Sequence, residues 1–169
     1  MNNKYLKYSL LFFFLILCQA YVFGRINFMG AVNPQVFILF VLLVPVYSQS
    51  GLMILAFLLG FGVDLLMGSG GMHAASSVCI AFVRPFILRL VSEKGRFDSA
   101  ACPVSARSKS ELFRYFALST VLQSLVIYSL DAWRLYRTAQ AVRYALISAG
   151  MTWVLSVLIY PFVRDPVRS

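Results

Sequence analysis

Acidic residues are scarce in this chain. Six Asp and Glu stand against fifteen Lys and Arg, and charged residues make up only 12% of the sequence. A soluble domain carries roughly 25% charged residues, so the water-facing surface of a large soluble domain does not fit this composition. Histidine occurs once, as His73, and the three cysteines, Cys18, Cys79 and Cys102, fall in no metal-ligand spacing. An odd cysteine count without such spacing implies neither a disulfide framework nor a zinc site. The glycine cluster Gly68-Ser69-Gly70-Gly71 lacks the lysine of a phosphate-binding loop. Nor does the sequence display a nucleophile, a base and a second carboxylate converging on one place, so hydrolytic or acyl-transfer chemistry has no identifiable carrier. No cofactor is implied.

What remains is apolar. Hydrophobic residues make up 60% of the 169 positions, and the mean hydropathy is +0.80. The expected fold class is all-α, a polytopic helical bundle in a membrane with about six transmembrane helices, forming a single integral membrane domain over 1–169. The apolar runs cover residues 6–24, 34–47, 52–67, 72–91, 112–130 and 141–163. The basic start and apolar core of the first run also fit a signal peptide, but further spans follow and an uncleaved span is the preferred reading. In the second run, Asn33-Pro34 reads as a helix start, with Asn as N-cap and Pro in the first turn. That run covers only about 21 Å as a helix, short of the hydrocarbon core, so it is either a short span or a segment entering a protein-lined groove. We take it as a span.

The net charge of +9 reads as orientation, with no nucleic-acid partner implied. With the N-terminus inside, the inner side holds Lys4, Lys7, Arg89, Lys94, Arg96, Arg107, Lys109, Arg114, Arg164 and Arg168. The outer side holds Arg25, Arg134, Arg137 and Arg143, and Arg84 is left within a span. The excess inside predicts both termini cytoplasmic. The basic loop between the fourth and fifth runs reads first as part of this positive-inside signal, with docking to anionic membrane lipid or to a cytoplasmic partner as an addition.

One stretch concentrates the polar chemistry: Gly60-Phe-Gly-Val-Asp64-Leu-Leu-Met-Gly68-Ser-Gly-Gly71-Met-His73-Ala74. A carboxylate inside an apolar run is costly and needs a partner. In an antiparallel hairpin turning near residue 70, Asp64 lies close to the outer surface and within reach of His73, a serine hydroxyl or interfacial water. Gly60 shares its face and lets another helix approach closely. Three roles stay open for Asp64: pinning the hairpin, a proton or cation site, or a contact between subunits. The first is preferred. His73 reads as an amphipathic anchor at the interface, not as a metal ligand. Arg84 lies about 18 Å down its helix from Met72, too deep to bridge to Asp64, and is expected to snorkel toward the cytoplasmic headgroups or face a partner. Pro85 frees the carbonyl of Ala81, which Arg84 or a neighbour is expected to satisfy.

Taken together, four features resemble the MreD family of rod shape-determining membrane proteins. They are Asn33-Pro34 opening a short second span that ends at Leu43-Val-Pro45; Ala56-Phe-Leu-Leu-Gly60-Phe-Gly-Val-Asp64-Leu-Leu-Met-Gly68-Ser69; Gly71-Met-His73-Ala74 opening the next span; and Tyr160-Pro-Phe-Val-Arg164 closing the last. The turn between Gly68 and Gly71 is short for that family, and the loop from Ser92 to Ser110 is long. The resemblance implies a non-enzymatic, multi-pass subunit of the bacterial inner membrane that works in cell elongation. It also implies partners: the periplasmic protein MreC, the MreB filament, a SEDS glycosyltransferase and a penicillin-binding transpeptidase. The structural or partner-contact positions are then Gly60, Asp64, Gly68, Gly71, His73, Arg84 and Pro85. The family fold is similar to that of the substrate-binding membrane subunits of vitamin-type transporters, so a small-solute transport subunit is the alternative. It would need convergent polar groups at mid-membrane depth.

Overall fold

The computed structural model describes residues 2–25, 33–44, 48–92, 108–135 and 138–168, and these are all-helical with their connections. Helix α1 covers Asn2–Leu17 and runs on into a π turn, Cys18–Val22, and a 3-10 turn, Phe23–Arg25. It is followed by α2 (Ile38–Leu43), α3 (Gln49–Met67), α4 (Met72–Val91), α5 (Lys109–Leu135) and α6 (Thr138–Arg168). Four stretches are long and apolar enough to cross a membrane: Gln49–Met67, Met72–Val91, Lys109–Ala132 and Ala141–Pro161. Tyr8–Val22 is a shorter apolar helix. The basic loop residues 93–107, with Cys102, lie outside the described residues.

Local chemistry explains several boundaries. Helix α5 opens on a capping box: Ser108 Oγ accepts from Glu111 N–H at 3.3 Å, and a Glu111 carboxylate oxygen accepts from Ser108 N–H at 3.4 Å. Helix α3 ends at Gly68, whose φ of 66° is the left-handed conformation of a glycine cap. Helices α3 and α4 form one antiparallel hairpin, α5 and α6 a second, and α4 packs against α5. Their outer faces carry exposed Phe57, Phe61, Leu65, Phe82, Phe86 and Leu158, the side chains a hydrocarbon solvent accepts without penalty.

The largest difference from expectation is the second apolar run. A helix starting at Asn33-Pro34 and running to residue 47 is expected, but the structure has only six helical residues there, Ile38–Leu43, or about 9 Å of helix. Residues 45–47 lie outside the described residues. Every residue from Pro34 to Leu43 is buried inside the bundle. The cause lies in the groups around Asn33 and Pro34. Tyr128 Oη accepts from Asn33 N–H, Ser148 Oγ donates to Asn33 O, and Thr152 Oγ1 accepts from Gln35 N–H at 2.8 Å. From the π turn after α1, Gln19 Nε2 donates to Pro34 O and Gln19 Oε1 accepts from Phe37 N–H. With these backbone groups taken by side chains of neighbouring elements, residues 33–35 stay irregular, a turn follows at Val36 and Phe37, and the α-helix begins only at Ile38. Beyond α2, Tyr115 Oη donates to Leu42 O and Arg84 Nη1 donates to Val44 O at 2.9 Å. Irregular backbone at membrane depth is tolerated only under such protein cover.

Candidate functional site

The α3–α4 hairpin is built around Asp64, which serves both helices at once. Its carbonyl closes α3, accepting from Gly68 N–H at 2.8 Å and Ser69 N–H at 3.3 Å. Its carboxylate opens α4. The N-cap position there is Gly71, with φ of 90° and no side chain to offer. Asp64 supplies what that position lacks: Oδ1 accepts from His73 N–H at 3.1 Å and Oδ2 from Ala74 N–H at 2.8 Å. These are orphan donors of the first helical turn, and a carboxylate is the acceptor the helix N-terminus favours.

The rest of the cluster orients that carboxylate. Ser69 Oγ donates to Asp64 Oδ1. His73 Nδ1 lies 2.9 Å from Asp64 Oδ1 and 2.9 Å from Ser69 Oγ. Both neighbours accept, so Nδ1 carries the hydrogen, an assignment made from the network. On the far side, Ser76 and Ser77 Oγ donate to His73 O at 3.0 and 2.6 Å, and Gln123 Nε2 reaches in from α5 to Ser76 Oγ at 3.1 Å.

Gly60 is where α3 and α4 touch. A Cβ added there would lie 2.5 Å from His73 O, 2.6 Å from Ala74 Cα and 2.7 Å from Ala74 N, all backbone. The approach that brings Asp64 within reach of the α4 backbone therefore requires glycine at position 60. Gly68 and Gly71 meet nothing within 4 Å; they are there for their positive φ.

Three expectations change here. His73 is no interfacial anchor: it is 4% exposed, held between Asp64 and the edge-on ring of Phe37 at 5.6 Å. Arg84 does not snorkel: it is 4% exposed and turned to the end of α2, because Val44 O and the negative end of that short helix draw it inward. Among the described residues it makes no ion pair, and its Nε has no hydrogen-bond partner. The helix that approaches the Gly60–Asp64 face is α4 of the same chain, so this face is covered and presents no surface to another subunit. The carbonyl freed by Pro85 has a donor that sequence reasoning missed: Gln49 Nε2, at 2.7 Å from Ala81 O. The serine hydroxyl that reaches Asp64 is that of Ser69, in the turn; Ser76 and Ser77, one helical turn on, bond His73 O instead.

Ser69, His73 and Asp64 are the residue types of a hydrolase triad, but they are wired differently. A triad uses both imidazole nitrogens, one held by the acid and the other taking the proton of the serine. Here serine and aspartate meet the same nitrogen, Nδ1, and the serine donates to the aspartate. No base is left for Ser69, and the cluster acts as a helix cap.

Searches against protein-family models, curated proteins and solved structures find no match to this chain.

Proposed function

We propose that this chain is a non-enzymatic, six-pass subunit of the bacterial inner membrane, both termini cytoplasmic, that helps to assemble or position lateral peptidoglycan synthesis. The observation that carries the reading is the hairpin built on Gly60 and Asp64. Two of the four features that carry the MreD resemblance supply the residues that hold α3 against α4, and these are wired for structure. The six-pass reading is supported by contacts at matching depths. Phe37 meets the ring of His73 and Val44 O takes the guanidinium of Arg84, so the described residues from Phe37 to Val44 run beside α4 in its direction, and Gln49, opening α3, bonds Ala81 O near the same end. This supports a return of the chain between α1 and α3, although among the described residues of the stretch only Ile38–Leu43 is α-helical.

The partner is an MreC-like periplasmic protein, with the MreB filament, a SEDS glycosyltransferase and a penicillin-binding transpeptidase further along the assembly. Since Asp64 is buried within its own chain, it acts on a partner only through the shape of the hairpin. The test is co-purification from mild detergent. The tagged protein retains an MreC-like partner, and Asp64→Leu loses it while still inserting in the membrane. Retention of both the complex and the rod shape in that variant would remove the hairpin from the mechanism; recovery of no wall-synthesis protein with the parent would remove the reading itself.

A further inference from the structure

One face of α6 is left free by the fold. Ser148, Thr152 and Ser156 turn into the bundle. On the other side Arg143, Ile147, Gly150, Val154 and Val157 are exposed. They recur at alternating helical steps of four and three residues, so they form one stripe, about 21 Å long by helical rise. Trp153, next to the stripe, is taken by the ring of Phe113 on α5 at 4.3 Å.

Gly150 stands at the middle of this stripe and of the apolar stretch Ala141–Pro161. Glycine weakens a helix interior relative to alanine, so a glycine there needs a reason. Gly60 has one in the approach of α4, and Gly68 and Gly71 have one in their positive φ. Gly150 has neither: it is helical, and a Cβ there would meet nothing within 4 Å. Among larger side chains on an outward face it leaves a notch, and small residues of this kind let transmembrane helices approach closely. The flanking residues suit such a contact. Ile147, Val154 and Val157 are β-branched and hold nearly one rotamer in a helix, so docking against them costs little side-chain entropy.

Charge selects the occupant. Arg143 lies two turns from Gly150 on the same stripe, about 10 Å towards the N-terminal end of α6. Among the described residues it makes no ion pair. A second copy of the chain, paired about a two-fold axis normal to the membrane, would set Arg143 beside its own like charge. A carboxylate on a different helix would pair with the guanidinium instead. We propose that this stripe docks a transmembrane helix of another protein, with a small residue at mid-span against Gly150 and an Asp or Glu about 10 Å away, level with Arg143. The surface adds to the assembly reading without resting on it, since the Asp64 cap belongs to α3 and α4.

The test measures fluorescence energy transfer in liposomes between the labelled full chain and a synthetic span. The span is a leucine helix of about 21 residues with Gly at its centre and Asp two turns away. Helices with Leu in place of the Gly, of the Asp, or of both are the comparisons. The Gly–Asp helix is expected to bind about tenfold tighter than either single replacement. In the chain, Gly150→Leu and Arg143→Gln are each expected to weaken it about tenfold and, as exposed positions, to keep the parental melting temperature. Arg143→Glu is expected to reject the Asp helix and to accept one with Lys in its place, which a misfolded variant would not do. Equal binding of all the helices, or binding that Gly150→Leu and Arg143→Glu leave unchanged, would overturn the proposal and leave the stripe to lipid. Energy transfer between two labelled copies of the chain that Gly150→Leu abolishes would overturn it in favour of a dimer.

Discussion

At the scale of one residue, Asp64 joins two helix ends: its carbonyl takes the cap N–H of Gly68, and its carboxylate caps α4, where Gly71 has no side chain to offer. Its two oxygens are not equivalent. Oδ1 gathers Ser69, His73 Nδ1 and His73 N–H, while Oδ2 serves Ala74 N–H alone. Replacing Asp64 with Asn turns one oxygen into an NH2 group that must face a donor. The smaller loss places it at Ala74, for about 1–3 kcal/mol. Asp64→Leu strands every donor at once and is expected to lower thermal stability in mild detergent further than Asn, while Ser69→Ala, which leaves both backbone N–H groups capped, changes it least. Equal melting temperatures for Asp64→Leu and the parent would show that α4 needs no cap from α3. Gly68→Ala tests a different cause at the same turn. No atom crowds the new Cβ, so the expected cost of about 1–2 kcal/mol is conformational only, and Asn, which tolerates the left-handed region, should recover part of it. The pairing of Asp64 with His73 was legible in the sequence because a single short turn separates them. The inward turn of His73 was not, because it depends on Phe37, which arrives from a distant part of the chain.

At the scale of elements, the two irregular places in the bundle are repaired by side chains from other helices. Pro85 removes the N–H that would reach Ala81 O, and Gln49, in the first turn of α3, replaces it. This makes a coupled pair. Gln49→Ala alone leaves a carbonyl unsatisfied at about 1–3 kcal/mol. Pro85→Ala restores the backbone donor, so Gln49→Ala should cost much less in that background. A double-mutant cycle on thermal stability measures the coupling, and additive effects would mean that Ala81 O finds another donor. That Pro85 would free a carbonyl was plain from the sequence; which donor takes it was not, since Gln49 looks like any polar residue in a short connection. The same limit explains α2. Its apolar pattern announces burial but not the side chains of Gln19, Tyr128, Ser148 and Thr152 that hold its approach out of helix. Those contacts join residues up to 117 positions apart and leave no periodicity to read.

At the scale of the molecule, direction is the remaining question, and helix α5 can answer it alone. Ser110 is exposed in its first turn and Ser129 is exposed near its far end, about 28 Å away by helical rise. Charge assigns them to opposite sides. The Lys and Arg residues of the basic loop precede Ser110, which should therefore face the cytoplasm, while Ser129 should face the periplasm. Both are serines on one helix, so changing each to cysteine alters little else. In intact cells, a membrane-impermeant thiol reagent should label Ser129→Cys and leave Ser110→Cys at the level of the parent with its native cysteines; breaking the cells should release Ser110→Cys for labelling. The reverse pattern would invert the protein and place the α3–α4 turn, with its Asp64 cap, on the cytoplasmic side. An MreC-like periplasmic partner could not then reach that turn, and the assembly proposal would lose the surface through which Asp64 is meant to act. Labelling of both positions from outside would mean that α5 does not cross, and the six-pass reading would fail with it.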